Sequence, residues 1–350
     1  MKKMNSNNKI ISFIKSNFGI FLFTIFFVIL FRDFLYTYKI QLEKFLPYYA
    51  YQDQIMYYLT GDDKFDIDAP MNLRFLGLWT QYLIFKIIPC IELSTKISIA
   101  MPYENYTCTT FSSALMNYIC LCGILSVTFS YCYKKLNLNI SESILTVLLS
   151  YIYIDHVEAF TLDRISILYF LIILYFLDNK KISIILIILS AIVNEKIIFI
   201  LGGLFFIRLF LNQKKEYFHF FITTLISSIL AGVIFFIYSI ILKNGYYQSD
   251  LDGLGLYDTF FTEGIDRIYA IFTSKSGLSN GLVPLIFAII PYIIAIKINS
   301  SKFYFSKLDF LIPISLLIFT AGGGMEQTGR YVMYSMPLWL PIFSQQILFF

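Results

Sequence analysis

The chain reads as an all-α integral membrane protein with about ten transmembrane helices and one further helix lying along the outer membrane face. Three observations predict this. Hydrophobic residues fill 58% of the 350 positions and mean hydropathy is +0.70, the composition of a membrane protein rather than of one or two soluble domains. Apolar runs recur along the whole chain, parted by short polar stretches. Basic residues return at every second junction, as Lys134/Lys135, Lys180/Lys181, Lys214/Lys215 and then Lys297, Lys302 and Lys307, which is how cytoplasmic loops are marked.

The amino terminus carries Lys2, Lys3, Lys9 and Lys15 ahead of the first apolar run, and no small-residue cleavage signal follows. It is expected to stay as an anchor with its start in the cytoplasm. Spans are expected at 18–38, 108–133, 141–154, 163–177, 182–193, 197–211, 217–242, 281–297, 308–321 and 331–350, all within one polytopic domain, 1–350. Asn139 with Glu142 three residues on has capping-box spacing at the start of the third span, and Thr161 is placed to cap the fourth. The fifth run, Ile182 to Val193, is twelve residues, about 18 Å of helix against a hydrocarbon core of about 30 Å. Either the chain breaks at Asn194, Glu195 and Lys196 between two short helices, or 182–207 is one span with charge at its middle. The second choice puts the Lys297–Lys307 cluster outside, so the break is expected.

Two outer loops are long, 39–107 and 243–280. The first opens with an acidic stretch in which Asp53, Asp62, Asp63, Asp66 and Asp68 fall within sixteen residues. That much charge beside apolar segments belongs in water or in a water-filled cavity. The stretch is either a solvated loop or a chemical site. The amphipathic segment 72–91, with Arg74, Gln81 and Lys86 among Leu, Phe, Trp and Ile, reads as the interfacial helix. A shorter outer loop packs Asp155, His156, Glu158, Asp163 and Arg164 into ten residues. On a helix Asp155 and Glu158 share a face at i,i+3 and suit a hard divalent cation; a solvated turn has the same composition. Glu195 and Lys196 mark either a functional cavity at membrane depth or an internal ion pair.

Other chemistry lacks material. No glycine loop cradles phosphate, and two histidines offer neither a metal helix nor a serine-histidine-carboxylate set. No basic soluble stretch with interleaved aromatics points to nucleic acid. Cys90 and Cys108 lie near the outer face and can pair there, whereas Cys120, Cys122 and Cys132 read as buried thiols. Of six arginines, Arg32, Arg74, Arg164, Arg267 and Arg330 fall on the outer side, against the orientation rule, and only Arg208 approaches the cytoplasm. A guanidinium binds phosphate through paired donors, so an outer cavity lined by Arg and Asp fits an anionic lipid head group with a hydroxyl to activate.

These residues resemble the GT-C superfamily of polyprenyl-phosphate-sugar-dependent glycosyltransferases. In DQIMYYLTGD, Asp53 and Tyr57 are similar to the family's acidic-then-tyrosine pattern after the first span. Arg74 in RFLGLW resembles the arginine before the helix that leads back to the membrane. The segment from Asp163 to Ile200 looks like an Asp-led span, a short turn and a span ending in a Lys/Glu pair, and GGGMEQTGRYVMYSMPLWLP resembles the late Arg followed by Pro. Gln54 stands where a second carboxylate is often found, so Asp62 and Asp63 stay beside Asp53 as candidates for the base.

The resemblance implies a GT-C-like fold in the cytoplasmic membrane and transfer of a sugar from a polyprenyl-phosphate donor to a glycan or lipid-linked acceptor on the outer face. Asp53, or Asp62 or Asp63, would be catalytic. Arg74, Arg164, Lys196 and Arg330 would hold the lipid phosphate, with Tyr57, Asp155, Glu158, Asp163 and Glu195 in support. Two other readings stand beside it: a polymerase or ligase of lipid-linked polysaccharide, and a flippase or transporter of lipid-linked glycans.

Overall fold

The computed structural model describes residues 18–32, 34–35, 75–87, 106–156, 163–212, 215–237, 264–298, 309–317 and 332–349. Among them every regular element is helical and no strand occurs. In chain order the helices are α1 (Phe18–Ile29), α2 (Phe75–Ile87), α3 (Tyr106–Lys134), α4 (Ile140–His156), α5 (Asp163–Phe176), α6 (Lys180–Leu189), α7 (Glu195–Asn212), α8 (Lys215–Phe236), α9 (Gly264–Thr273), α10 (Val283–Ile298), α11 (Leu311–Ser315) and α12 (Met336–Phe349). Helical residues thus lie in every expected span. Among the described residues three stretches are long and apolar enough to cross a membrane: Phe111–Lys134, Lys215–Ile234 and Lys275–Ile296.

Several helices are built inside out relative to a soluble protein. On α4, Ile140, Ile144, Leu148 and Ile152 are exposed, whereas Ser143, Thr146 and Ser150 are buried. Thr146 reaches Ser344 of α12 at 2.8 Å. On α8, Leu225, Ile226, Ile229, Val233 and Phe236 face outward, while Thr223, Thr224 and Ser227 face the bundle and Ser227 lies 3.1 Å from Ser190. Lipid is as apolar as leucine, so helices in it associate through close packing and interhelical hydrogen bonds. Gly123 shows the closeness: a Cβ there would meet Leu168 Cδ2 of α5 at 3.0 Å.

Side-chain contacts fix the helix directions. Phe18 meets Phe129 and Phe34 meets Phe111, so α1 and α3 are antiparallel. Gly123 faces Leu168 and Lys135 bonds Asp178, so α3 and α5 run the same way. Tyr169 donates to Leu186 O and Ser183 to Phe176 O, turning α6 back along α5. Ser190 meets Ser227 just before α7, Gly202 faces Thr224 and Phe205 meets Phe220, so α7 and α8 run in opposite senses. Arg208 of α7 lines the same cleft as Tyr131, Leu136 and Leu138 at the end of α3. The start of α1, Lys134/Lys135, Lys180/Lys181 and Lys215 therefore gather at one end of the bundle, as the lysine spacing predicts.

Local chemistry explains the boundaries. Asn139 Oδ1 accepts from Glu142 N and Glu142 Oε2 accepts from Asn139 N, both at 2.8 Å, which is the capping box read from the sequence. Just before it, Asn137 closes α3 at φ 53°, a conformation asparagine tolerates. The break in 182–207 is also present. α6 tightens into a 3-10 turn at Ser190–Ile192, and α7 starts at Glu195, where Asn194 Oδ1 caps by accepting from Lys196 N at 3.0 Å. Thr161 and Cys90 lie outside the described residues, and Cys120, Cys122 and Cys132 are buried free thiols.

The helix expected over 72–91 is α2, but its faces are not those of a helix resting polar side to water. Leu78 and Gln81 are buried, Leu78 packing beside Met116, Cys120 and Ile165, whereas Trp79, Leu83 and Ile87 are exposed along with Lys86. Gln81 turns inward where α2 packs on α3, while Thr80 gives its hydroxyl to the carbonyl of Leu76 one turn back.

Candidate functional site

Asp53, Tyr57, Asp62, Asp63, Arg74, Glu158 and Arg330 lie outside the described residues. The side chains of Asp155 and Glu195 do too, although their backbones belong to α4 and α7. The remaining three expected site residues, Asp163, Arg164 and Lys196, come together.

They meet because three chain segments begin at the same place. α5 opens with Asp163 and Arg164, α7 opens with Lys196 in its first turn, and the short entry turn to α12 carries Tyr334. Tyr334 Oη donates to the Asp163 carboxylate. Asn194 Nδ2, at the break before α7, reaches Tyr334 Oη at 3.2 Å and Ser166 Oγ at 3.1 Å. The Lys196 ammonium stands 5.4 Å from the centre of the Tyr334 ring, a cation–π distance. Arg164 Nη1 donates to the carbonyl of Asn117 on α3 at 3.3 Å.

Asp163, Arg164 and Lys196 are 3%, 5% and 9% exposed, so three formal charges have been taken out of solvent. Burial of that kind is tolerated only with partners. Asp163 has one in Tyr334 and a second in its position, because a helix start carries partial positive charge and suits a carboxylate. The same field opposes Arg164 and Lys196, each held in the first turn of a helix. Among the described side chains, Arg164, Lys196 and two helix starts bring positive charge to this place and Asp163 brings one carboxylate. α5 spans fourteen residues, which puts the cluster about 20 Å from the lysine-bearing end.

Sequence reasoning missed Tyr334, Ser166 and Asn117. Tyr334 had a signal: it lies within the Arg330-to-Pro337 stretch of the last motif, one turn beyond the arginine. It also missed a second charged place, at the lysine-bearing end. There Arg208 Nη2 bonds Asp309 Oδ2 at 2.6 Å, with Asp309 almost wholly buried. Among the described residues no group of three or more His, Cys, Asp or Glu gathers to hold a metal. The Asp155–Glu158 pair read as a cation site falls outside the described side chains.

The class these features define, among the described residues, is a helical protein with three helices long and apolar enough to cross a membrane and a buried cluster of charged side chains at one end of its bundle. Compared with protein-family models, with curated proteins and with solved structures, the chain finds no match.

Proposed function

We propose that the protein is a glycosyltransferase of the GT-C type, moving a sugar from a polyprenyl-phosphate donor to a glycan or lipid-linked acceptor outside the cytoplasmic membrane. The observation that carries the reading is the convergence of Arg164, Lys196 and the starts of α5 and α7 at the end of the bundle remote from the lysines. With the lysines in the cytoplasm and ten spans, that end faces outward. A donor phosphate gains there from fixed positive charge, and the gain grows as the phosphate departs with a full negative charge. Tyr334 and Asn194 hold Asp163 and the α7 cap in register with those cations. The acceptor hydroxyl needs a base on the far side of the sugar, a role assigned to Asp53, with Asp62 and Asp63 as the alternatives.

The test is transfer by detergent-purified protein from a panel of polyprenyl-phosphate hexoses and pentoses. Wild type transfers from at least one donor. Asp53→Asn lowers turnover by about a hundredfold or more, the usual worth of general-base catalysis. Arg164→Lys weakens donor binding despite its retained charge, because the planar fork is lost. Absence of transfer from every donor by folded wild type removes the reading.

The broken segment between α6 and α7 favours a second reading, since discontinuous helices recur at translocation sites. A flippase would carry the intact lipid-linked glycan across sealed vesicles and leave its glycosidic bond unbroken.

A further inference from the structure

The Arg208–Asp309 pair sits in a small cleft, part of it open to the outside, between the end of α3, α7 and α12. Its walls are mainly Leu136, Leu138, Pro337, Leu338, Pro341 and Ile342, with Tyr131 and Gln345 as further polar lining. We propose that this cleft binds a membrane phospholipid from the leaflet at the lysine-bearing end, with its phosphate on Arg208 and the start of one acyl chain along α12. The proposal does not depend on the function proposed for the Asp163 cluster.

Four observations lead there. Arg208 has five N–H donors, and its one hydrogen bond among the described residues goes to Asp309. The rest of the guanidinium lines an open cleft, and its side chain is 22% exposed where that of Asp309 is 3%. Second, the level is right for a head group. Leu136 and Leu138 belong to the turn after α3, directly beside Lys134 and Lys135, and the start of α8 brings Lys215 to the same end. An anionic head group is favoured by that surrounding charge.

Third, the apolar wall is one continuous face of α12. Pro337, Leu338, Pro341 and Ile342 recur at helical spacing with Gln345 one turn beyond Pro341, and the five cover about 12 Å along the axis. Pro341 has no N–H to give to the carbonyl one turn back and interrupts the helix ladder within that wall. The space within is small, so the phosphate is what enters it and the chains of the lipid lie outside, along the helix. Fourth, an ion pair this buried is seldom worth more to stability than an apolar pair of the same size. Its place on the wall of an open cleft fits a ligand better than a brace alone.

The experiment is native mass spectrometry of the full chain, released from detergent after incubation with phosphatidylglycerol, with phosphatidylethanolamine, or with inorganic phosphate alone. Wild type is expected to keep one phosphatidylglycerol in preference to phosphatidylethanolamine. Arg208→Ala can fail to fold, so the deciding variant is the double change Arg208→Met with Asp309→Leu, which fills the place without buried charge. It is expected to fold and to bind phosphatidylglycerol roughly tenfold or more weakly, the worth of a lost charge-assisted contact. Retention of the same lipid copy by the double variant overturns the proposal. So does a wild type that keeps no phospholipid, or one that takes up inorganic phosphate as readily as the lipid, which would make the cleft a site for the free ion.

Discussion

Helix α7 carries positive charge near both of its ends, buried at Lys196 and half-buried at Arg208, and the two ends are handled differently. At its start Lys196 joins a network drawn from α3, α5, α7 and the entry to α12, in which uncharged groups take part: Tyr334, Asn194, Ser166 and a backbone carbonyl. Twelve residues on, Arg208 meets one carboxylate from one other segment, 101 positions away. A network spreads the desolvation cost over many partners, each only partly responsible for any charge. A pair concentrates it, so the loss of either member leaves the other with its main compensation gone.

The comparison is broken most directly at the pair. Arg208→Ala leaves the Asp309 carboxylate buried without its guanidinium, and the expected cost is about 3 to 5 kcal/mol of stability. The double replacement by Met and Leu is expected to return to within about 1.5 kcal/mol of wild type, the tolerance of a well-filled apolar swap. Thermal and denaturant unfolding in detergent measures both. Equal losses in the single and double variants would show that Arg208 acts through contacts other than Asp309.

At the network the corresponding cut is Tyr334→Phe, which keeps the ring under Lys196 but removes the hydroxyl shared by Asp163 and Asn194. Hydrogen bonds to charged groups are worth about 1.5 to 3 kcal/mol, so the cost should fall below that of Arg208→Ala. Donor binding should weaken with it, because Asp163 and the α7 cap lose their common partner. If Tyr334→Phe proves as costly as Arg208→Ala, the network shares its load no better than the pair, and the contrast between the two ends disappears.

What the sequence showed of all this follows distance along the chain. The Asn139–Glu142 box, the break at Asn194 and the end-to-end ordering of the lysine pairs are local or cumulative signals, carried by three-residue spacing, by run length or by alternation. Asp163, Arg164 and Lys196 were legible one at a time, because charge at the edge of an apolar run is conspicuous. Their common partner was not: Tyr334 is 171 positions from Asp163 and one tyrosine among 27. Arg208 and Asp309 are likewise joined only by how α7 packs, and helix faces set by packing in lipid leave weak periodicity because small and hydroxyl residues, not large apolar ones, turn inward. The same reversal hid the inward turn of Gln81 on α2.

The smallest expected effect tests whether burial, rather than the mere presence of an ion pair, separates the two ends. Lys135 and Asp178 form a pair of the same 2.6 Å length as Arg208 and Asp309, and also at the lysine-bearing end, but their side chains are 29% and 79% exposed. Lys135 additionally lies 5.2 Å from the Tyr175 ring centre, so its position does not rest on the carboxylate alone. Water solvates both charges when the contact opens, and salt screens it when closed. Asp178→Asn should therefore cost less than about 1 kcal/mol and should cost less still at high ionic strength. Unfolding measured at low and high salt for Asp178→Asn and Arg208→Ala side by side gives the comparison its sharpest form. A loss at Asp178 as large as at Arg208, and equally indifferent to salt, would mean that closing the turn between α5 and α6 against α3 matters more than the dielectric around the charges.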